Sequence, residues 1–201
     1  MRRGRLEITG GFFLLLAWLN YLDRQALVPL ALAACALHEL GHYGTILALG
    51  GDVKLLRLTA VGAEMVLSRP MGYFQEGLAA LAGPGVNLLL AAAACRWEGG
   101  LTFSGVNLVL GCFNLLPLGR LDGGRAMRCT LCLLAGPEWA RRAGEWLDRV
   151  GTAALLGAGL ALVGAGGNLT LLVVALWLRL CIFREKKRGI GSCQTGGKRV
   201  Q

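Results

Sequence analysis

Apolar residues fall into six runs, at about Ile8–Leu22, Gln25–Leu49, Phe74–Cys95, Leu101–Leu118, Gly151–Gly166 and Leu169–Phe183. A helical bilayer span needs roughly 20 apolar residues, within a range of about 17–25. The second and third runs reach that length; the first, fifth and sixth are shorter. Leu155–Val163 and Leu169–Leu180 are too apolar to face water, and Gly164–Asn168 reads as a tight turn between them. The pattern predicts an all-α polytopic membrane protein with about six transmembrane helices. One stretch departs from it. Asp52–Leu67 partly alternates, with Val53 and Leu55, then Leu56 and Leu58, and a turn at Gly62. It predicts a short cytoplasmic β-hairpin between the second and third spans. Glu138–Val150 follows Pro137 and carries Trp139, Ala143, Trp146 and Val150 on one side, which predicts an amphipathic helix lying in the interface. Residues 1–183 read as a single domain, and 184–201 as a basic, Gly-rich, disordered cytoplasmic tail.

Composition agrees with a membrane setting. The chain of 201 residues is 55% hydrophobic and only 16% charged, where soluble domains carry roughly 25% charged residues. The net charge of +9 could suggest a nucleic-acid partner, but its placement excludes that class. The basic residues cluster at both ends and between apolar runs. With six spans, all of the 21 lysines and arginines except Arg24 and Arg96 fall on one side. An excess of Lys and Arg marks the cytoplasmic side, so both termini are expected there. The N-terminal run imitates a signal peptide, but Asn20, Tyr21, Asp23 and Arg24 follow it instead of a small-residue cleavage site, so it is read as a retained span. The seven cysteines are scattered and show no disulfide framework. Cys129 and Cys132 form a lone C-x-x-C and are read as small buried hydrophobes.

The chemistry lies in the second run. The chain has two histidines, and they stand four apart, in His38-Glu39-Leu40-Gly41-His42. Positions i and i+4 share a helix face, so both imidazoles can reach one metal ion while Glu39 stands beside them as a general base. Zinc makes a bound water acidic near pH 7, and a neighbouring carboxylate takes its proton as it attacks a carbonyl. Chance would give this arrangement less than about once in a thousand such chains. His38 lies eleven residues before the helix end at Leu49, about 16 Å at the helical rise. Ionisable groups at such depth are costly and mark function by default. A catalytic zinc takes three protein ligands, and with no third histidine the last must be Asp, Glu or Cys. The outstanding candidate is Asp122, where Pro117, Gly123 and Gly124 break the helical pattern. Irregular backbone at membrane depth must be buried or line a wet cavity, and hydrolysis needs such a cavity. Cys35, one turn before His38, is read as packing.

Three motifs occur in order: His38–His42, then Gly83-Pro84-Gly85-Val86-Asn87, then Asn114-Leu-Leu-Pro117 leading to Asp122-Gly123. In these the chain resembles the site-2 family of intramembrane zinc metalloproteases, and within it the stage IV sporulation protein FB group. The likeness covers about Ile8 to Cys132. It implies one catalytic Zn2+ held by His38, His42 and Asp122, with Glu39 as general base. It also implies that Asn87 and Asn114 orient substrate or stabilise the oxyanion; interhelical hydrogen bonding is the plainer role for both. Two departures stand out. Many members have a second proline just before Leu-Asp-Gly-Gly, where this chain has Arg120. The nucleotide-sensing regulatory domain and the PDZ domain of some members are not expected here.

The expected function is endoproteolysis of a membrane-tethered or membrane-associated protein near the cytoplasmic face, in a bacterial cell membrane. The resemblance extends this to pro-sigma-factor processing in sporulation and to a regulatory membrane partner. An extended substrate segment could add a strand to the hairpin at Val53–Leu58. Two other readings compete. A catalytically silent scaffold would keep the metal site, although a structural zinc needs no base at Glu39. A transporter with incidental histidines would hold no zinc tightly.

Overall fold

The computed structural model describes residues 5–59, 62–119 and 121–188. It falls into two compact units, Met1–Asn114 and Leu115–Gln201. Residues 1–4, 60–61, Arg120 and residues 189–201 of the expected tail lie outside the described residues.

The first unit contains β1 (Arg5–Ile8), α1 (Gly10–Leu22), α2 (Leu27–Ala48), β2 (Val53–Thr59), β3 (Gly62–Leu67), α3 (Tyr73–Ala94) and α4 (Leu101–Asn114). The Asp23 carboxylate organises the start of α2, accepting the backbone N–H of Val28 at 2.7 Å and that of Gln25 at 3.1 Å. These bonds, Val28's foremost, hold its carboxyl below the usual carboxylate value. At the other end Gly50, with φ of +78°, closes α2. Its N–H bonds Leu47 O and that of Gly51 bonds Ile46 O, a Schellman arrangement that turns the chain into β2.

The hairpin expected at Asp52–Leu67 is present as antiparallel β2 and β3, with an irregularity at Lys54. The sequence reading did not include β1, which pairs in parallel with Leu55–Leu58 of β2. Residues 5–8 therefore form a strand rather than a charged flank, and the sheet has the order β1-β2-β3. Parallel neighbours need a long crossover, which α1 and α2 provide. Val53 packs with Ile46 and Ala79, and Met65, Leu67 and Met71 close over them. The sheet thus sits on the C-terminal end of α2 and the start of α3.

The second unit contains α5 (Asp122–Ala135), α6 (Pro137–Gly164) and α7 (Thr170–Arg188). The interfacial helix expected at Glu138–Val150 and the span expected after it are one continuous α6. Trp139 and Trp146 are about two-thirds exposed, so their apolar face is directed away from the unit's interior. Residues 122–135, expected in a loop, form α5. The sequence misleads here because Gly123 and Gly124 discourage a helix. They stand at its first turn for close contact instead. A Cβ at Gly123 would strike the Leu115 carbonyl, and one at Gly124 the Leu118 carbonyl. The helix α7 runs on to Arg188, into the expected tail.

Among the described residues, α3 and α6 are long and apolar enough to cross a membrane, and α1, α4 and Thr170–Leu180 are shorter apolar helices. The six apolar runs fall on six of the described helices, α1 to α4, α6 and α7, of which α3 and α6 meet that test. Many large apolar side chains are exposed, among them Leu14, Leu89, Val109, Leu134 and Val173. Such surfaces are normal against lipid and unusual against water.

Candidate metal centre

In the first unit, His38 and His42 stand one turn apart on α2, both buried. Their rings meet edge to face, with centroids 4.6 Å apart. Each ring is held from behind. His42 Nδ1 lies 2.7 Å from the backbone oxygen of Ala79 on α3. His38 Nδ1 lies 2.5 Å from Oδ1 of Asn87, also on α3. Both partners are acceptors, so both imidazoles carry their proton on Nδ1 and donate it. The lone pairs are then on Nε2, and the two Nε2 atoms approach to 3.0 Å. Two lone pairs so close repel each other. A shared cation turns that repulsion into binding: zinc takes nitrogen at about 2.0–2.1 Å in a tetrahedron, which puts two donors roughly 3.3 Å apart. Metal-ligating histidines characteristically donate the other ring N–H to a carbonyl or carboxylate, as both do here.

Gly83 on α3 makes room for the pair. A Cβ there would contact His42 Nε2, and would lie 2.6 Å from His42 Cε1 and 2.8 Å from His38 Nε2. Pro84, fully buried, follows it and removes one N–H from the helical ladder in the turn where Ala79 accepts from His42. Glu39, beside His38 on α2, is partly exposed. Cys35, also on α2, lines an apolar cavity of about 500 Å³ with Ala31, Leu101, Gly105 and Val109.

The roles expected for the two asparagines meet different surroundings. Asn87 is fully buried, and its carboxamide faces His38, Ala34 O and Asn107 Oδ1. These bonds are the interhelical kind. Asn114, half-buried at the end of α4, donates to Leu110 O at 3.1 Å. Asn107, on α4 and fully buried, is a residue the sequence reading passed over. An amide inside an apolar helix was the available signal.

In the second unit, Asp122 is the first residue of α5 and is 8% exposed. Arg125 Nη1 lies 3.7 Å from its Oδ1. The loop before it is pinned at Gly119, whose N–H donates to Asp148 at 2.6 Å and whose carbonyl accepts from Arg128 at 2.5 Å. This rigid approach sets where α5 begins. His38, His42 and Asp122 are each buried and of donor types that zinc accepts. Cys129 and Cys132 are buried on α5.

No family model matches the sequence. Among known proteins, the chain is similar to Rip3 of Mycobacterium tuberculosis, which bears the name of a zinc metalloprotease. The two share 32% identity over 199 residues, covering 85% of this chain and 46% of Rip3, and the value is the same for two strains. The chain therefore spans about half the length of the curated relatives it matches. Among solved structures it is similar to the site-2 protease from Methanocaldococcus jannaschii, with a TM-score of 0.66 and 21% identity, covering 98% of this chain and 94% of that one. The chain thus has the fold of a site-2 protease and is similar in sequence to a protein that bears the name of a zinc metalloprotease.

Proposed function

We propose that the chain is a zinc-dependent endopeptidase acting within the membrane, with one Zn2+ held by His38, His42 and Asp122. The observation that carries this reading is the convergence of the two Nε2 lone pairs, each enforced by a hydrogen bond behind its ring. When bound, the ion supplies Lewis acidity, which makes water acidic near neutral pH and polarises a peptide carbonyl. His38 and His42 bind through Nε2, and Asp122 supplies the anionic oxygen. Glu39 accepts the proton of the attacking water on its carboxylate and delivers it to the departing amine. Asn114 orients the substrate or stabilises the oxyanion.

The substrate class follows from the setting: a membrane-tethered or membrane-associated protein, cut near the cytoplasmic face, with both termini of the protease in the cytoplasm. Processing of a pro-sigma factor in sporulation, in a bacterial cell membrane and under a regulatory membrane partner, is the finer reading that the motifs favour. A helix hides its peptide bonds, so the cleaved segment must be extended. The sheet gives it a docking edge, but a different one from that expected. Val53–Leu58 belongs to the central strand, covered by β1 along Leu55–Leu58. Among the described residues, β3 pairs with β2 alone, so Gly62–Leu67 is the strand for addition. Prolines at alternate positions from Ala63 to Leu67 should suppress cleavage while leaving zinc content unchanged. A whole series with undiminished cleavage rules out strand addition at β3.

Zinc stoichiometry tests the metal centre. Protein purified in detergent is expected to hold one zinc per chain, to lose cleavage on chelation and to regain it on adding zinc. The Asp122→Asn variant keeps the side-chain volume and removes the charge. Its zinc affinity should fall more than about 100-fold, beyond the loss that follows removal of a supporting group. Wild-type protein that folds and holds no stoichiometric metal overturns the assignment.

A further inference from the structure

A buried chain of amides runs through the first unit behind His38. Asn107 Nδ2 on α4 donates to Phe103 O at 2.9 Å. Its Oδ1 receives Asn87 Nδ2 from α3 at 2.8 Å, and the same nitrogen faces Ala34 O on α2 at 3.3 Å. Asn87 Oδ1 meets His38 Nδ1 at 2.5 Å. Both asparagines are 0% exposed. The two ends of this chain differ in kind. A backbone carbonyl can only accept, so Phe103 O obliges Asn107 to turn its nitrogen that way and its oxygen toward Asn87. That oxygen, with Ala34 O, obliges Asn87 to present nitrogen to α4 and oxygen to His38. His38 must then carry its proton on Nδ1. The direction of every bond follows from backbone carbonyls that no side-chain rotation can reverse.

The two histidines are therefore secured differently. His42 leans directly on the Ala79 carbonyl. His38 depends on two side chains, and an isolated Asn87 amide could present either its oxygen or its nitrogen. We propose that Asn107 is a positioning residue of the metal centre: its side-chain oxygen fixes the Asn87 amide, which fixes the tautomer of His38 and aims Nε2 toward His42. Asn107 touches neither imidazole and acts through Asn87. The zinc consequence rests on the metal reading above; the tautomer consequence stands without it.

With two histidines in the chain, nitrogen-15 NMR of selectively labelled imidazoles is readable. The test uses the full chain in detergent micelles, at about pH 8, where ordinary imidazoles are neutral. In zinc-free wild type, both rings should be in the Nδ1–H form. In Asn107→Leu, one ring should become a mixture of tautomers while the other is unchanged. Zinc affinity, measured by chelator competition, should fall about 10- to 100-fold. Asn107→Asp should behave as wild type: buried and protonated, its carboxyl donates to Phe103 O and accepts from Asn87. The double variant Asn87→Asp with Asn107→Leu should restore the wild-type tautomer and zinc affinity, because the new side chain has no N–H to turn toward His38 and offers it an accepting oxygen in either protonation state. A purely structural role for Asn107 would leave the tautomer alone and give no such restoration. Unchanged imidazole signals and unchanged zinc affinity in Asn107→Leu overturn the proposal, and so does a double variant that is no better than Asn107→Leu. Wild type that shows the expected tautomers but binds no zinc removes the metal reading and leaves the amide relay in place.

Discussion

The Glu39→Gln variant should retain its zinc and lose about a hundred- to ten-thousand-fold in turnover, the usual worth of a positioned general base. Glutamine keeps the length and shape of the side chain but cannot accept a proton at neutral pH. Glu39 follows His38 directly on α2 and is more exposed than either imidazole. The ligands it leaves untouched are held by their own hydrogen bonds from α3, so metal content should not change. Measured against a membrane-inserted reporter substrate, the loss should fall mainly on kcat, because the carboxylate acts as the proton moves. This variant also separates the readings. A scaffold keeps its biological effect without Glu39, and a transporter has no use for a base beside its histidines. Full cleavage by Glu39→Gln assigns the base elsewhere.

A large effect is also expected from a single methyl group. Alanine is favoured over glycine in a helix interior by roughly 0.5–1 kcal/mol, so Gly83→Ala ought to be tolerated by α3 on propensity alone. Its Cβ, however, would fall on the Nε2 side of both rings. The rings cannot retreat, because Nδ1 of each is tied to Asn87 or Ala79 on that same helix. One hydrogen bond must break, or the convergence of the nitrogens is lost. Gly83→Ala should therefore fold with wild-type helicity and hold less than about a tenth of the wild-type zinc, with cleavage falling in proportion. Gly85 is the control. It stands two residues on, and a Cβ there meets nothing within 4 Å, so Gly85→Ala should be neutral or slightly stabilising. Gly83→Ala with full zinc and activity would show that α3 does not press on the imidazoles as described.

Several features of the chain needed no structure to be read. The i, i+4 spacing of His38 and His42 forces both onto one helical face wherever that helix goes. The apolar runs announce helices, because a buried or lipid-facing backbone must satisfy its own hydrogen bonds. The alternation at Val53–Leu58 leads to β2, and Gly62, read as a turn, opens β3. These patterns are local, and local sterics and periodicity decide them.

Tertiary structure decided the rest. The strand β1 has only four residues, and its partner lies about fifty positions along the chain, so no local pattern reveals the pairing. Once formed, it makes β2 the central strand and moves the exposed edge to β3. The Gly123-Gly124 pair reads as a helix breaker, yet it starts α5, because the Leu115–Leu118 backbone lies too close for any side chain. The resemblance gave Asn87 a substrate or oxyanion role, and the sequence reading passed over Asn107. Which nitrogen of His38 keeps its proton depends on where α3 and α4 place those two amides. Periodicity specifies which face a side chain is on. The identity of the atom across from it depends on packing between helices far apart in sequence.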